Sequence, residues 1–304
     1  MQISSSPHIW KGITKNYIMG MVILALIPAV IASIYYFGLD AALIILTGVF
    51  VAWATDFFLQ KITQQNLGLI NLSSILTGLL LALVLPPTTP LWIVAIGSFV
   101  AVSIGKFAFG IGNSIFNPAL LGRAFVVLSW PQLTSEWTTP GIDAPGIDGV
   151  TQATPLDKGA GNVETYSLFM GDIAGCIGET SAVALILGGL FLIIRNIIDW
   201  KIPVFYIGTV ALVSIVTGQD PLFHILAGGL LLGAFFMATD YVTSPLTTKG
   251  KIYFAIGCGL LTILFRLYSS MPEGVMFSIL LMNALTPLID KITTTRPFGY
   301  NEKK

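Results

Sequence analysis

Long apolar runs separated by short polar segments dominate the chain. Each run has roughly the 20 residues that an α-helix needs to cross the hydrocarbon core of a bilayer, about 30 Å thick. About ten such runs are present, and they flank a single long polar segment, 131–179. The first five are 17–37, 40–60, 66–85, 91–110 and 113–130, and the second five are 180–199, 202–218, 223–242, 252–268 and 274–289. This pattern predicts an all-α integral membrane protein.

The two groups of five runs resemble each other weakly. Residues 75–83 are similar to 225–233, and Asn117-Pro118-Ala119-Leu120 has a counterpart in Asn283-Ala284-Leu285-Thr286-Pro287. Because five is an odd number of spans, the halves 1–130 and 180–304 would lie inverted in the membrane around the loop 131–179. Inverted repeats with helices interrupted by Gly and Pro are typical of transporters. Chance similarity between Leu/Ala/Gly-rich helices is the alternative.

The placement of Lys and Arg predicts the orientation. With the N-terminus inside, most basic residues fall on the cytoplasmic side, where membrane proteins concentrate them. These residues are Lys11, Lys15, Lys61, Lys106, Arg195, Lys201, Lys249, Lys251, Lys291, Arg296, Lys303 and Lys304. The long loop is acidic, with Lys158 as its single basic residue. Both termini are therefore expected in the cytoplasm and the loop outside the cell membrane.

Composition supports a membrane protein and excludes several other classes. Hydrophobic residues make up 55% of the 304 residues and charged residues 10%, against roughly 25% charged residues in soluble domains. A formal net charge of zero gives no indication of nucleic-acid binding. Two cysteines and two histidines, far apart, predict neither a disulfide framework nor a metal site.

The most informative polar segment is Asp148-Gly149-Val150-Thr151-Gln152-Ala153-Thr154-Pro155-Leu156. By its chemistry alone it is a polar turn. It resembles the flavinylation motif, Asp-Gly-x-Ser/Thr-Gly-Ala-Thr, shared by the D subunit of Rnf-type complexes and the B subunit of sodium-translocating NADH:quinone reductase. Asp148, Gly149, Thr151, Ala153 and Thr154 match that pattern, and Gln152 replaces the usual glycine. The resemblance implies an FMN phosphoester on Thr154.

Two further segments carry the same resemblance. Residues 110–120, which include Asn113 and Asn117, are similar to the Gly-rich Phe-Asn-Pro-Ala segment that opens span five in these subunits. Ser5-Ser6-Pro7-His8 is similar to the start of the D subunits. The resemblance covers nearly the whole chain, and the short termini favour the Rnf D subunit. It adds Asn113 and Asn117 to the candidate cofactor-binding residues.

Charged residues inside the spans need a partner or a function. A charge at the bilayer centre costs at least ~2.5–3.5 kcal/mol, and Arg123 lies within a span. Given the resemblance, Arg123 would contact the flavin phosphate or ring, or else pair with a neighbouring subunit. For Lys106, near the inner end of its span, snorkelling to the interface is the expected behaviour. Asp240 is expected to end span eight, with a role in an ion pathway as the alternative.

The resemblance also implies the functional setting. The chain would relay electrons between reduced ferredoxin and NAD, coupled to Na+ or H+ transport, in the plasma membrane of a bacterium or archaeon. Its partners would be the Rnf-type subunits A, B, C, E and G, together with a flavin transferase for maturation. A second, noncovalent flavin, riboflavin, is expected in the helix bundle. The competing interpretations are a redox-free small-solute channel or transporter with five-plus-five inverted repeats, and a scaffold subunit.

Overall fold

The computed structural model describes residues 14–64, 71–110, 113–138, 151–152, 165–171, 173–179, 181–269 and 274–294. Nearly all of these residues are helical. The helices are α1 (Lys15–Ile62), α2 (Leu72–Leu83), α3 (Leu91–Val102), α4 (Pro118–Ser129), α5 (Thr165–Met170), α6 (Ala182–Ile194), α7 (Lys201–Val216), α8 (Pro221–Leu226), α9 (Leu230–Leu232), α10 (Thr248–Tyr268) and α11 (Gly274–Thr293). Two π-helical turns, Ser103–Ala108 and Gly233–Met237, continue α3 and α9, and a 3-10 turn spans Gln132–Thr134. Two short antiparallel strands, β1 (Trp137–Thr138) and β2 (Thr151–Gln152), complete the described part.

Four helical segments are long and apolar enough to cross a membrane: α1, Leu91–Ala108, α10 and α11. Four shorter apolar helices, α2, α4, α6 and α7, accompany them. Many large apolar side chains on these helices are exposed, including Leu46, Leu212 and Leu264, which suits a surface that faces lipid rather than water. The predicted all-helical membrane protein is confirmed, while the division into about ten spans in two inverted halves stays a prediction.

Helix α1 folds back on itself at Gly38. This residue has φ 63° and ψ −140°, a conformation that glycine adopts without the steric cost other residues meet. Lys15 and Asp56, at opposite ends of α1, line one cavity, whereas a straight helix would hold them roughly 60 Å apart. The Gly38 turn therefore lies at the end of the bundle opposite that cavity.

Small residues allow the helices to approach closely. A Cβ on Gly48 of α1 would lie 2.9 Å from the Gly78 carbonyl oxygen of α2, and a Cβ on Gly122 of α4 would lie 2.6 Å from that of Gly97 in α3. Both distances are shorter than real Cβ contacts. Membrane helices use such small-residue interfaces because packing, rather than a hydrophobic driving force, holds them together.

Helix α2 is shorter than the predicted run 66–85. The Asn71 side chain caps its start by accepting a hydrogen bond from the Ser73 amide at 3.3 Å. Its last carbonyls receive donors from the segment that precedes α6. The Ile177 amide donates to Leu85 O at 3.0 Å and the Gly178 amide to Leu83 O at 2.7 Å. The polar groups of the backbone need such partners wherever a helix stops inside the membrane, because lipid offers none.

The predicted continuous span 223–242 is instead interrupted. Helix α8 ends at Leu226, Gly228 has φ 68°, and α9 begins at Leu230. The guanidinium of Arg266, on α10, donates to His224 O at 2.5 Å and to Ala227 O at 2.9 Å. This arginine satisfies carbonyls that the break removes from helical hydrogen bonding, which lets the helix stop and restart within the bundle.

Candidate functional site

A cavity of about 480 Å³ opens between the ends of α1 and the segment that follows α9. That volume lies within the range of roughly 300–1,000 Å³ typical of small-molecule sites. One part of its wall is apolar and another carries charged and amide side chains. The apolar group includes Ile18, Met19, Leu76, Leu80, Phe107 and Phe236, and the polar group includes Lys15, Asp56, Asn71, Ser73, Lys106, Ser114, Asn117 and Asp240. We call this space the inner cavity.

Lys106 lines the inner cavity and contacts α2. It lies on the π-helical turn Ser103–Ala108, and its Nζ donates to Ser73 Oγ at 3.0 Å and to Ser74 Oγ at 3.2 Å. These hydroxyl acceptors on α2 solvate the ammonium within the protein. Snorkelling of Lys106 to the interface stays a prediction. Single π-turns of this kind occur frequently at functional sites.

Two carboxylates line the inner cavity with Lys106, and each has its own hydrogen-bond donors. Asp56, 3% exposed, accepts from Gln60 Nε2 at 2.5 Å and from Asn71 Nδ2 at 3.4 Å. Asp240 accepts from Thr243 Oγ1 at 3.1 Å. Among the ion pairs formed by the described residues, none joins Lys106 to a carboxylate within 4 Å. Asp56 and Asp240 thus balance the ammonium charge of Lys106 from a distance, without direct contact.

Asn117 connects the two halves of the chain at the cavity wall. Its side-chain oxygen caps α4 by accepting from Ala119 N at 3.0 Å, with Pro118 at the first helical position. Its Nδ2 donates to Met237 O, on the second π-turn, at 3.1 Å. The Asn283 amide, oriented to satisfy its neighbours, accepts from Asn117 N at 3.0 Å and donates to Thr243 O at 3.2 Å. The two asparagines paired by the sequence repeat therefore meet in space.

Arg123 forms a buried ion pair away from the inner cavity. Its Nη1 lies 3.3 Å from Glu179 Oε1, and its Nη2 donates to Cys176 Sγ at 3.2 Å. The side chains of Arg123 and Glu179 are 5% and 4% exposed. Sequence reasoning considered a flavin or a neighbouring subunit as the partner of Arg123 and missed Glu179. The available signal was that Glu179 is the last acidic residue before an apolar run.

The motif segment is described only in part. Thr151 and Gln152 form β2, which pairs with β1 in the register Thr138↔Thr151 and Trp137↔Gln152. An extended strand does not need glycine at the Gln152 position. Asp148, Gly149, Ala153 and Thr154 lie outside the described residues.

Helix α5 follows the motif and packs against α6 and α8. The Tyr36 hydroxyl donates to Met170 O at 3.0 Å, which places the end of α5 beside the Gly38 turn. The described part of the loop is therefore at the opposite end of the bundle from the inner cavity.

The structure separates the described candidate residues into four places. Asn117 lines the inner cavity, whereas Asn113 is exposed and is not among the lining residues. Arg123 belongs to the buried ion pair, and Thr151 lies on β2. Within the described ranges, no group of three or more His, Cys, Asp or Glu side chains is arranged to hold a metal ion.

Comparison with known proteins identifies the family. The model of the NQR2, RnfD, RnfE family matches residues 2–299. The D subunit of the proton-translocating ferredoxin:NAD(+) oxidoreductase complex of Clostridium ljungdahlii is 46% identical over 98% of this chain and 96% of its own length. The D subunit of the Na(+)-translocating ferredoxin:NAD(+) oxidoreductase complex of Acetobacterium woodii is 44% identical over 100% and 97%.

An archaeal protein gives a similar match. The D subunit of the ion-translocating oxidoreductase complex of Methanosarcina acetivorans is 36% identical over 98% of this chain and 96% of its own length. Such coverage leaves no large part of either protein unmatched, so the similarity is one of whole chains and not of a shared module. The resemblance inferred from the motifs is confirmed at this level: the chain belongs to the NQR2, RnfD, RnfE family.

Proposed function

We propose that this chain is the flavin-bearing membrane subunit of an Rnf-type ion-translocating ferredoxin:NAD oxidoreductase complex. The observation that carries the proposal is end-to-end similarity to proteins named as D subunits of such complexes, together with the flavinylation motif around Thr154. The chain would relay electrons between reduced ferredoxin and NAD, coupled to Na+ or H+ transport. Subunits A, B, C, E and G would carry the nucleotide and iron–sulfur chemistry, for which this chain has no cysteine cluster.

Thr154 would carry FMN through a phosphoester. The Thr154 hydroxyl oxygen would bond to the FMN phosphorus of FAD, the pyrophosphate bond would break, and AMP would leave with the displaced proton going to solvent. Only a hydroxyl can form this ester, which is the reason for a Ser or Thr at the acceptor position. A flavin transferase would catalyse the transfer. A covalent link suits an extracytoplasmic loop, since a weakly bound flavin there would diffuse away.

The proposed architecture is about ten spans in two inverted five-helix halves. In that arrangement 1–130 and 180–304 are the halves, and 131–179 is the extracytoplasmic loop. Both termini would be cytoplasmic. The contact between Asn117 and Asn283, equivalent positions of the two halves, supports the repeat. The proposal places the inner cavity on the cytoplasmic side and Thr154 on the other.

The inner cavity is the candidate site for the second, noncovalent flavin, riboflavin. Its volume suits a tricyclic ring, and its apolar wall offers Leu76, Leu80 and Phe236 for contact with the ring faces. The imide edge of a flavin both donates and accepts hydrogen bonds. Lys106 supplies a donor and Asp240 an acceptor in the same cavity. The donor set and the size therefore fit the group.

In-gel fluorescence tests the covalent flavin. The chain co-expressed with an active flavin transferase should run as a fluorescent band on a denaturing gel, because SDS removes noncovalent flavin but leaves an ester. Thr154→Ala should abolish the band, and Thr154→Ser should retain part of it. Thr151→Ala is the matched control: it removes the neighbouring hydroxyl and should leave the label on Thr154.

Mass spectrometry of the intact chain gives the second readout. The wild-type chain should carry the added mass of one FMN, and the Thr154→Ala chain should lack it. A wild-type chain that shows neither fluorescence nor added mass, despite an active transferase, would overturn the redox proposal. It would instead favour a redox-free channel or transporter.

A further inference from the structure

The inner cavity contains the part-buried ammonium of Lys106, which donates hydrogen bonds to two neutral hydroxyls. We propose that Lys106 sets the redox preference of the noncovalent flavin, because a positive charge on the wall of the same cavity would favour the reduced, anionic form. This inference rests on the proposed riboflavin in the inner cavity. It adds a positioning and tuning residue that neither the flavinylation motif nor the family relationship assigns.

The contacts of Lys106 leave its charge available to a ligand. An ammonium has three N–H donors, and Ser73 and Ser74 account for two of them. The cavity carboxylates are engaged elsewhere, Asp56 by Gln60 and Asn71 and Asp240 by Thr243.

The backbone around Lys106 is held firmly in place. The π-helical turn Ser103–Ala108 places Gly105 so close to the start of α4 that a Cβ would lie 2.9 Å from Pro118 Cα. Pro118 also lines the inner cavity. The turn, the two serine hydroxyls and the α4 contact together fix where the ammonium lies. Such a supported side chain acts on a ligand with little reorganisation.

The charge of Lys106 matters because flavin reduction creates a negative charge. Two electrons and one proton convert the neutral oxidised ring to a reduced ring that carries one negative charge on its imide end. The electrons would come from a reduced iron–sulfur partner, or from dithionite in the experiment, and the proton from water at the open end of the cavity. An ammonium in a partly apolar cavity attracts that charge more strongly than it would in water. Charges near the ring are one of the means by which proteins tune flavins.

The experiment compares the midpoint potential of the cavity flavin between variants of the full chain. A Thr154→Ala background removes the covalent flavin, so the cavity flavin is the only one in the purified protein. Bound flavin is released, identified and quantified by mass spectrometry. The potential is then measured by dithionite titration against redox dyes. Binding of oxidised and of reduced riboflavin to the flavin-free chain provides an independent readout.

Lys106→Gln should weaken the preference for reduced over oxidised flavin at least tenfold, equivalent to lowering the potential by about 30 mV for a two-electron couple. Lys106→Arg keeps the charge and should restore most of the preference. Ser73→Ala removes one of the hydroxyls that hold Nζ and should shift the potential in the same direction by less. The matched control is Lys249→Gln, an exposed lysine on α10 outside the cavity, which should change nothing.

Each outcome separates this inference from the proposed function. Flavin that stays bound with an unchanged potential in both Lys106→Gln and Ser73→Ala would overturn the role of Lys106 and leave the flavin site intact. A wild-type chain that contains no noncovalent flavin and binds none when riboflavin is added would overturn the second flavin and this inference together. If Lys106→Gln fails to fold, Ser73→Ala and Lys106→Arg decide the question, and an unshifted Ser73→Ala protein contradicts the proposal.

Discussion

At the scale of single residues, Arg123 and Glu179 form an ion pair that is almost completely buried. Both side chains are withdrawn from water, so each charge depends on the other. Burying an ion pair costs desolvation energy that the attraction between the charges only partly repays. The sequence flagged Arg123 by its position in an apolar run, but its partner could not be identified from sequence. Glu179 reaches it through the fold of a loop.

Removing one partner of this pair should be more harmful than removing both. Arg123→Ala or Glu179→Ala removes the opposite charge that lies 3.3 Å from a buried one, and each should cost about 3–5 kcal/mol. The double variant Arg123→Leu/Glu179→Leu should recover a substantial part of that loss. The unfolding temperature of the three variants is measured in mild detergent, with the loss of monodisperse protein on heating as the signal. Single variants as stable as the wild type would show that the pair is solvated.

At the scale of elements, helix contacts depend on glycine at the positions where backbones meet. Gly78→Ala would place a methyl group against the Gly48 carbonyl of α1 and the Ala52 side chain. Overpacking of this kind costs about 1–3 kcal/mol. The α1–α2 contact should therefore weaken, and the protein should unfold at a lower temperature.

Gly208→Ala is the matched control for that substitution. Gly208 lies on the exposed side of α7 and a Cβ there would meet nothing within 4 Å. Its effect on stability should stay within about 1 kcal/mol, the difference in helix propensity between the two residues. Equal destabilisation by the two substitutions would rule out a packing role for Gly78.

Hydropathy predicted where the helices are and failed where hydrogen bonding decides how they end. The run 66–85 contains a helix, but its start depends on the Asn71 cap and its end on amides contributed by residues 177 and 178. The run 223–242 is as apolar as a continuous span, yet its helix is interrupted, and Arg266 satisfies the carbonyls freed there. Hydropathy averaged over a sequence window measures how well a segment partitions into lipid. It carries no information on which distant donors will be available.

At the scale of the whole molecule, local sequence patterns also do not show which distant residues form the inner cavity. Lys106 and Asp240 each stood out as charges in or near apolar runs, and Asn117 stood out by its motif. Their meeting around one cavity is a consequence of tertiary packing between the two halves, which the order of residues does not specify. The weak repeat related Asn117 to Asn283, and these two residues are in contact. An internal repeat relates segments that are distant in the sequence, whereas a local hydropathy pattern does not.

The orientation of the molecule gives a prediction that covers all spans. A reporter fused after Lys304 should be active only in the cytoplasm, and one inserted near Gly141 only outside the membrane. The reason is the concentration of Lys and Arg at one end of the predicted spans. Paired reporters with opposite requirements for folding, such as a phosphatase and a fluorescent protein, serve as mutual controls. An extracytoplasmic C-terminus would contradict the predicted number of spans.

The fold-back of α1 at Gly38 has a consequence for how the chain enters the membrane during synthesis. The 48 residues of this helix contain no polar loop, so its two arms reach the bilayer together as a hairpin. Lys15 and Lys61 stand at the two open ends, and the tip presents Asp40, which is exposed. No basic side chain has to be carried across the lipid. A chain that enters with its N-terminus in the cytoplasm would therefore move only the carboxylate of Asp40 across the lipid with the tip of α1.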